Sequence, residues 1–243
     1  MKLLELVSEL EIDEPAANIG SPLRSVAIGK YLGLKAGNRV VDFGCGHGEM
    51  LCLWARCFAI SGLGIDRDQP SLTDAASRAV QWGVADHLEF RCQDMKEFDA
   101  GDCVYDVATC MGATFGFGGF EATVVRLKRV IKPTGCIVVA EPFYLTKEVP
   151  DPLREYEGQW HVETELFDIA RKHGLEVGYY ARAGRDEWER YIFSSHKGEM
   201  RAFAAMPPGL VKEERRRGLH RWHDMYLRYR QHWQCMAFMT LHP

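Results

Sequence analysis

The chain lacks several features that would assign it to a class at once. Its eight cysteines form no C-x-x-C pair and no compact cluster with histidines, so no metal site is predicted. No apolar run approaches the roughly 20 residues that cross a bilayer. The formal net charge is -4, which offers no basic excess for a nucleic acid. The first residues, MKLLELVSELEIDEP, carry acids and no apolar core, unlike a signal peptide, so we expect a cytoplasmic protein without membrane or nucleic-acid partners.

Strand-like and helix-like segments alternate along the first three quarters of the chain. Short apolar runs bounded by turn residues predict strands, and amphipathic stretches between them predict helices, the second with Ser71 as a candidate N-cap. This alternation indicates an α/β fold, in which a parallel sheet carries helices on both faces. The predicted strands are 39–43, 62–66, 87–92, 106–111, 135–142, 174–182 and 235–241, and the predicted helices are 48–60, 71–83, 120–133 and 163–173.

A long polar segment, 184–232, separates the last two predicted strands. It shows no strand pattern, and its Lys and Arg residues outnumber its Asp and Glu residues. We expect a helical insert that forms a lid over the carboxyl edge of the sheet; the alternative is a solvated helical layer without that role. The positive charge of the segment favours an anionic group on a molecule bound beneath it.

The stretch VVDFGCGHGEM, residues 40–50, places three glycines between the first predicted strand and the first helix. In a doubly wound sheet, ligands lie outside the carboxyl ends of the strands, near the first strand. Gly44, Gly46 and Gly48 form G-x-G-x-G, whereas the dinucleotide fingerprint G-x-G-x-x-G would have its third glycine at Glu49. A carboxylate in that first turn is unfavourable beside a pyrophosphate and more tolerable beside a ligand that carries a positive charge.

Two carboxylates follow the next two predicted strands. Asp66 ends the second strand, where an acid can accept hydrogen bonds from both hydroxyls of a ribose. Asp94 follows the third strand, where a carboxylate could accept the exocyclic amine of an adenine. Each alone could be an ordinary turn former, but together they predict an adenosine site with no phosphate site between its two acids.

With VVDFGCGHGEML, GLGID, CQDM and LKRVIKPTGCIVVAEP in this order, the chain resembles the class I S-adenosylmethionine-dependent methyltransferases. The stretches GEMLCLWAR, MGATFGFGGF, AEPFY and DEWERY also resemble a bacterial group of small-molecule methyltransferases. The resemblance implies a Rossmann-like, doubly wound sheet of seven mostly parallel strands, with an antiparallel last strand preceded by the lid insert. It implies one methyltransferase domain over 1–243, with an N-terminal helical cap at 1–38, a cofactor-binding core at 39–183, the lid at 184–232 and the final strand at 233–243.

The resemblance also assigns contacts to S-adenosyl-L-methionine as the cofactor. Gly44 and Gly46 would bring backbone against its methionine part, and Asp42 would bind its amine. Asp66 would bind the ribose hydroxyls, and Asp94 the adenine amine. The other implied contacts are Arg67 and Met95 against the adenine, the Cys110 carbonyl facing the ammonium group, and Tyr31 closing over the cofactor.

The methyl acceptor is expected to be a small molecule held by the loops that flank the reactive methyl group. The [DN]-P-P-[YF] motif of methyltransferases that act on nucleobases or glutamine is replaced by CMGA at 110–113. A sulfonium already carries an activated methyl group, so the protein mainly positions the acceptor in line and excludes water, and no residue receives a catalytic role. The candidate acceptor contacts are Glu141, Tyr144, Trp160, His161, Trp188 and Tyr191.

Alternatives stay open at this point. Glu141 could be a buried acid paired with a basic side chain, and the aromatic residues could only pack the lid on the sheet. An NAD-dependent oxidoreductase on a related sheet is a second function, against which Glu49 counts. A third is a non-catalytic protein that keeps the cofactor fold for binding alone.

Overall fold

A computed structural model describes residues 21–158 and 160–243, the side chains at 192, 194–199, 201, 202 and 233–235 excepted. The predicted N-terminal cap at 1–38 therefore lies partly outside the described residues. Within these residues, no helix has both the length and the apolar character needed to cross a membrane.

One mixed sheet forms the centre of the described fold. Its order is β3-β2-β1-β4-β5-β7-β6, and β7 runs antiparallel to β5 and to β6, whereas the other pairs are parallel. The predicted seven-stranded, doubly wound sheet with an antiparallel last strand is confirmed. The strands are β1 Arg39–Phe43, β2 Ser61–Asp66, β3 Leu88–Cys92, β4 Tyr105–Met111, β5 Ile131–Tyr144, β6 Glu176–Arg182 and β7 Trp233–His242.

Helices cover both faces of this sheet, because alternate strand residues point to opposite sides. On β1, Val40 packs in a core cluster with residues of the first three helices, and Val41 packs in another cluster with the fourth and sixth. Trp54 is fully buried and donates its indole N–H to the Ser25 carbonyl at 2.7 Å, which ties the first two helices together. The helices are α1 Pro22–Tyr31, α2 Glu49–Phe58, α3 Gln69–Gln81, α4 Phe120–Val130, α5 Asp151–Glu157, α6 Glu163–Lys172, α7 Arg185–Ala205 and α8 Leu210–Tyr229.

Most predicted boundaries differ from the structure by a few residues, and two of the differences have a clear cause. Helix α3 is capped by Asp68, whose carboxylate accepts the Ser71 N–H at 2.9 Å, so Ser71 lies inside the first turn and is not the N-cap. Helix α4 ends at Val130, three residues before the predicted end, because Ile131 already pairs with Tyr105 as the first residue of β5. A β-strand pairing thus replaces the last part of the expected helix.

The segment between β6 and β7 consists of α7 and α8. Helix α7 is joined to α1 by an ion pair between Arg24 and Glu187 at 2.7 Å. Helix α8 is joined to α7 by the Tyr226 hydroxyl, which donates to Glu189 at 2.8 Å. In the same last turns, α8 packs Met225 and Tyr229 against the cluster formed by α5 and the end of β5. The two helices therefore contact both α1 and the cluster that α5 forms after the end of β5.

Candidate active site

The glycine-rich turn from β1 to α2 adopts a backbone that requires glycine. Gly44, Gly46 and Gly48 have φ values of +75°, +50° and +66°, in the left-handed region that side chains disfavour. A Cβ on Gly44 would lie 2.4 Å from the Ala113 Cβ, so two loops meet here without room for a side chain. Nothing lies within 4 Å of the same position at Gly46. The turn is thus tight on one side and open on the other, as a ligand lying against backbone requires.

Asp66, at the end of β2, holds this turn. Its Oδ2 accepts the Gly46 N–H at 2.8 Å, and its Oδ1 accepts the Asp68 N–H at 2.9 Å. Because a carboxylate has about four acceptor positions, both oxygens can still accept hydroxyl groups from a ligand. Asp66 therefore fixes the geometry of the turn and presents acceptors at the same time.

A cleft of about 200 Å³ opens beside Asp66 at the carboxyl edge of the sheet. It brings together five of the residues predicted to bind the cofactor. Its other walls come from the residues after β3 and from the loop after β4. The lining residues are Gly44, Asp66, Arg67, Gln93, Asp94, Met95, Lys96, Ala113, Phe115 and Gly116.

Asp94 and Met95 form the wall of the cleft opposite the glycine turn. The Asp94 Oδ1 accepts the Lys96 N–H at 2.8 Å, which fixes the turn after β3. The Met95 side chain lies between two glycines: its Cε is 3.2 Å from a Cβ built on Gly44 and 2.4 Å from one built on Gly116. Met95 thus contacts both the β1 turn and the β4 loop, where the apolar contact to a base was predicted.

Asp42 lies one strand position before the end of β1 and is 3% exposed. The Thr109 hydroxyl donates to its Oδ1 at 2.5 Å. Burial raises the pKa of Asp42 to about 6, the Thr109 hydrogen bond opposes this rise, and the nearby Asp66 charge adds to it. Among the described residues, no Lys, Arg or His side chain pairs with Asp42. A cationic group placed at this edge would therefore find an uncompensated acid, which fits the amine of the predicted cofactor.

Cys110 lies near the end of β4, and its side chain is fully buried. Burial raises the pKa of its thiol far above the ordinary value, and Asp42 and Glu141 raise it further, so the thiol stays neutral. The thiol packs in the cluster on the α4 and α6 face of the sheet. The role predicted for Cys110 used its backbone carbonyl and stays a prediction.

Tyr31 lies at the opposite edge of the sheet. It ends α1, and its ring centre is 5.5 Å from that of Tyr179 and 6.1 Å from that of His242. His242 pairs with Glu176, the first residue of β6, and so marks the amino edge. The prediction that Tyr31 closes over the cofactor is at odds with this placement, and we leave Tyr31 out of the proposed site.

Glu141, the first of the acceptor candidates, lies toward the carboxyl end of β5 and is 5% exposed. Its Oε2 accepts the Thr114 hydroxyl at 2.5 Å, from the loop that also lines the cleft. Burial raises the pKa of Glu141 to about 7, although the Thr114 hydrogen bond lowers it. Within the described residues, the partner of Glu141 is the Thr114 hydroxyl. The alternative stated from the sequence expected a basic side chain at this place.

Four aromatic candidates lie on one side of the carboxyl edge. Tyr144 stacks on Trp160 with ring centres 5.4 Å apart, and its hydroxyl donates to the Gly158 carbonyl at 2.8 Å. The rings of Trp188 and Tyr191 lie 6.1 Å apart at the start of α7. Trp160, Trp188 and Tyr191 all belong to the apolar cluster that includes Met111, the last residue of β4.

His161 makes different contacts from these rings. It lines an open cleft of about 520 Å³ beside α6, which Trp160 also borders. Its Nδ1 is 3.7 Å from Glu165, and its ring is 6.5 Å from Phe120 at the start of α4. The structure therefore groups His161 with α4 and α6 and not with the aromatic residues of α7.

Sequence reasoning missed several residues that complete this site. Thr109 and Thr114 hold the two buried carboxylates across separations of 67 and 27 residues, which only the strand register reveals. Arg24 joins α1 to the start of α7. The loop after β4, whose sequence MGATFGFGGF is part of the resemblance, also lines the cleft at Asp66 through Ala113, Phe115 and Gly116.

Comparison with known proteins gives consistent results. A family model described as a methyltransferase domain matches residues 40–135. An uncharacterised protein of Escherichia coli (strain K12), YjhP, is 36% identical over 192 residues, covering 74% of this chain and 75% of YjhP. A ubiquinone biosynthesis O-methyltransferase of Neisseria meningitidis serogroup A is 32% identical over 174 residues, covering 65% of this chain and 71% of that protein.

Two solved structures share nearly the whole fold. One is an S-adenosylmethionine-dependent methyltransferase of Thiobacillus denitrificans in complex with S-adenosyl-L-homocysteine, with a TM-score of 0.85 at 29% identity, covering 99% of this chain and 98% of that one. The other is a methyltransferase of Geobacter sulfurreducens with the same ligand, with a TM-score of 0.85 at 29% identity, covering 100% of this chain and 98% of that one.

Proposed function

This chain belongs to the class I S-adenosylmethionine-dependent methyltransferases, and from that premise we propose that its methyl acceptor is a small molecule bound beneath α7 and α8. The observation that carries the proposal is the contacts of these helices: Glu187 of α7 pairs with Arg24 of α1, and α8 packs on the cluster of Tyr144 and Leu153 that follows the carboxyl end of β5. Helices placed over this edge would restrict access to molecules that fit beneath them, unlike an open basic groove for a nucleic acid.

The family membership decides between the functions that the sequence left open. The chain is an enzyme whose cofactor is S-adenosylmethionine, as in the two methyltransferases described with S-adenosylhomocysteine. An NAD-dependent oxidoreductase and a non-catalytic binding protein were the alternatives, and both are wrong. Glu49 begins α2, in the turn where a pyrophosphate would lie, which agrees with this outcome.

Three carboxylates are proposed to hold the cofactor. Asp66 accepts the ribose hydroxyls, Asp94 the adenine amine, and Asp42 attracts the amine of the methionine part. The open side of Gly46 leaves room for that part against the backbone. Support comes from the placement of Asp66 and Asp94 on one cleft and of the buried Asp42 beside it.

The transfer itself is proposed to be an in-line displacement. When bound, the cofactor supplies a methyl group already activated by its sulfonium charge. The chain would contribute by holding the acceptor atom on the line of displacement and by excluding water with the segment 184–232 acting as a lid. No side chain is assigned the removal of a proton, since whether one must be removed depends on the acceptor atom.

Names of relatives support a small acceptor. The Neisseria relative is a ubiquinone biosynthesis O-methyltransferase, and shorter matches include 2-phytyl-1,4-naphtoquinone methyltransferase of Synechococcus elongatus at 30% identity over 106 residues. Both names refer to quinones. For this chain, the same class of acceptor is part of the proposal.

A transfer experiment tests the proposal. The full chain would be incubated with S-adenosylmethionine labelled in its methyl group and, separately, with the low-mass and the macromolecular fractions of a bacterial lysate. We expect label to move into the low-mass fraction, and we expect Asp66→Ala to remove that signal because cofactor binding is lost. Label that enters only protein or nucleic acid would overturn the proposal.

The affinity for S-adenosylhomocysteine is predicted to fall at low pH because of Asp42. Its carboxyl group has a pKa of about 6 in the unliganded protein and would have to be charged to attract the ligand's amine. The affinity should reach its maximum above pH 7 and should be about tenfold weaker at pH 5, one unit below that pKa. The stability of the unliganded fold should depend on pH in the opposite direction. Because folding raises the pKa of Asp42, this group contributes stability at low pH, and that stability is lost as the pH rises through 6.

Calorimetric titration with S-adenosylhomocysteine from pH 5 to 8 measures this dependence. Glu141, with a pKa of about 7, titrates in a neighbouring range, so the matched variants are Asp42→Asn and Glu141→Gln. The Asn variant should bind with nearly constant affinity, whereas the Gln variant should keep the full dependence. A dependence that survives in Asp42→Asn would assign the titration to another group.

A further inference from the structure

Glu141, toward the carboxyl end of β5, is a buried acid whose hydrogen-bond partner is a neutral group. It is 5% exposed, and its Oε2 accepts the Thr114 hydroxyl at 2.5 Å. Among the described residues, no Lys, Arg or His side chain pairs with it. A glutamine would accept the same hydroxyl and would be less costly to bury than a carboxylate, so this hydrogen bond alone does not account for an acid at this position.

The side chain of Glu141 lies on the other face of the sheet from the aromatic acceptor candidates. Side chains alternate along a strand, and Val139, two residues before Glu141, packs on the face that α4 and α6 cover. Ala140 packs on the opposite face, in the cluster that includes the rings of Trp188 and Tyr191. Glu141 is therefore separated by the sheet from these rings, and its position favours a contact other than the acceptor.

A short series of contacts connects Glu141 to the glycine-rich turn instead. Thr114, which donates its hydroxyl to Glu141, follows Ala113, one of the residues that line the cofactor cleft. Ala113 contacts the turn at Gly44, where a Cβ would lie 2.4 Å from the Ala113 Cβ. Glu141 thus holds the loop after β4, and that loop meets the turn on which the methionine part of the cofactor is proposed to lie.

Glu141 and Asp42 lie on the two strands that flank β4. Asp42 is on β1 and Glu141 is on β5, and β4 pairs with both strands. The charges of both acids raise the pKa of the Cys110 thiol on β4, so both carboxyl groups lie near this point. Because adjacent strands are about 4.8 Å apart, the two acids give the carboxyl end of β4 a negative potential from both sides.

We propose that Glu141 is the residue by which the protein distinguishes the positively charged cofactor from its neutral product. This rests on the proposed function, in which Asp42 attracts the amine of the methionine part and Asp66 accepts the ribose hydroxyls. The sulfur atom joins these two parts, so its charge would lie at the ends of β1 and β4, where Glu141 contributes to the potential.

The discrimination follows from the change of charge during transfer. When the acceptor takes the methyl group, the electron pair of the broken C–S bond stays on sulfur, which becomes a neutral thioether. The attraction to Glu141 then ends, whereas the contacts with Asp42, Asp66 and Asp94 are the same for both molecules. Glu141 would therefore favour the exchange of S-adenosylhomocysteine for S-adenosylmethionine after each transfer.

The ratio of two dissociation constants tests the proposal. S-adenosylmethionine and S-adenosylhomocysteine are each titrated against the full chain by calorimetry at pH 8, above the pKa of about 7 of Glu141. In Glu141→Gln, we expect S-adenosylmethionine to bind about tenfold more weakly and S-adenosylhomocysteine to bind as before. A charge pair about two strand spacings apart contributes roughly this factor at the effective dielectric constant of a protein.

Two controls separate charge from other effects. Sinefungin carries an ammonium group in place of the methylated sulfur, so its affinity for Glu141→Gln should fall as that of S-adenosylmethionine does. Asp94→Asn changes a group proposed to contact the adenine, so it should weaken all three ligands equally and leave the ratio unchanged. If Glu141→Gln weakens all three equally, Glu141 acts only by holding the loop through Thr114, and the proposal is overturned. An unchanged affinity for S-adenosylmethionine overturns it as well.

The unaltered chain provides a second measurement that needs no folded variant. Between pH 8 and pH 6 Glu141 gains a proton, so the preference for S-adenosylmethionine should fall about fivefold. Asp42 also titrates in this range, but the amine that it attracts is present in both ligands, and the Cys110 thiol stays neutral throughout. A preference that is constant from pH 6 to pH 8 would contradict the proposal.

Binding of S-adenosylhomocysteine distinguishes the two levels of the argument. If it binds to the unaltered chain and the ratio does not depend on Glu141, the inference fails and the proposed function stands. If neither S-adenosylhomocysteine nor S-adenosylmethionine binds, the proposed function fails, and the inference fails with it.

Discussion

Replacement of Asp66 by alanine is expected to weaken S-adenosylhomocysteine binding by about two orders of magnitude or more. The variant removes the acceptors proposed for the ribose and also two hydrogen bonds. One, from the Gly46 N–H at 2.8 Å, fixes the glycine turn, and the other, from the Asp68 N–H at 2.9 Å, fixes the turn after β2. Hydrogen bonds to a charged group contribute about 1.5–3 kcal/mol each, and about 2.7 kcal/mol corresponds to a factor of 100. The loss of several such bonds should therefore weaken the affinity for S-adenosylhomocysteine by more than about 100-fold.

Thermal unfolding with and without ligand measures this loss. At a hundred times Kd, the ligand should stabilise the unaltered chain by about 2.7 kcal/mol, a rise in Tm of roughly 5–11 °C for a chain of this size. The Asp66→Ala variant should show no rise at the same concentration. Asp86→Ala removes an exposed acid from the short turn before β3 and should behave like the unaltered chain. A full rise in Asp66→Ala would remove Asp66 from the site.

Asp66→Asn separates the two roles of this side chain. The amide keeps one oxygen that can accept the Gly46 N–H, so the turn can form, but it cannot accept at both former positions. We expect its affinity to lie between those of the unaltered chain and Asp66→Ala. An Asn variant as weak as Ala would mean that the negative charge, and not the fixed turn, determines binding.

The cofactor edge was predictable because its residues follow the ends of strands. In a parallel sheet, the carboxyl ends of successive strands meet at one edge. Once the strands were identified, Asp42, Asp66 and Asp94 were therefore expected to lie at the same edge. Hydrophobic runs and glycine turns marked those strands to within a few residues. The order of the strands along the chain, and the rule that their carboxyl ends meet at one edge, were enough to predict the cofactor edge.

Tyr31 shows where that rule stops. The edge that a helix residue reaches depends on the length and direction of the helix, and α1 runs from Arg24, near the start of α7, to Tyr31 at the amino edge. A helix of ten residues is about 15 Å long, enough to carry its last residue away from the cofactor. The sequence gives the helix but not the side of the sheet on which it ends.

The segment 184–232 illustrates a second limit, since composition counts charges without giving their direction. Its positive excess suggested an anionic ligand, a prediction that stays open; five arginines of α8 are exposed, whereas Trp222 and Tyr226 pack in a core cluster. The pattern was visible in principle, because Leu219, Trp222 and Tyr226 follow one another at helical spacing. A helical projection of the segment would have separated these rings from the exposed arginines.

Gly44→Ala is expected to destabilise the fold by about 3 kcal/mol and to weaken cofactor binding with it. A side chain at φ +75° costs about 1–2 kcal/mol, and a Cβ placed 2.4 Å from the Ala113 Cβ adds overpacking of about 1–3 kcal/mol. For a chain of this size, Tm should fall by roughly 6–12 °C. Relief of the contact would move Ala113, which lines the cleft at Asp66, so affinity for S-adenosylhomocysteine should fall as well.

Gly37→Ala is the matched control, because it isolates the backbone cost. Gly37 has φ +89° and nothing within 4 Å of a Cβ, and it lies in the turn before β1, outside the cleft. We expect it to lose only about 1–2 kcal/mol and to keep full affinity for the ligand. The difference between the two variants then measures the contact between the β1 turn and the β4 loop. Equal destabilisation, with binding intact in both, would show that the β4 loop adapts freely and that the glycine at 44 is required only for its backbone conformation.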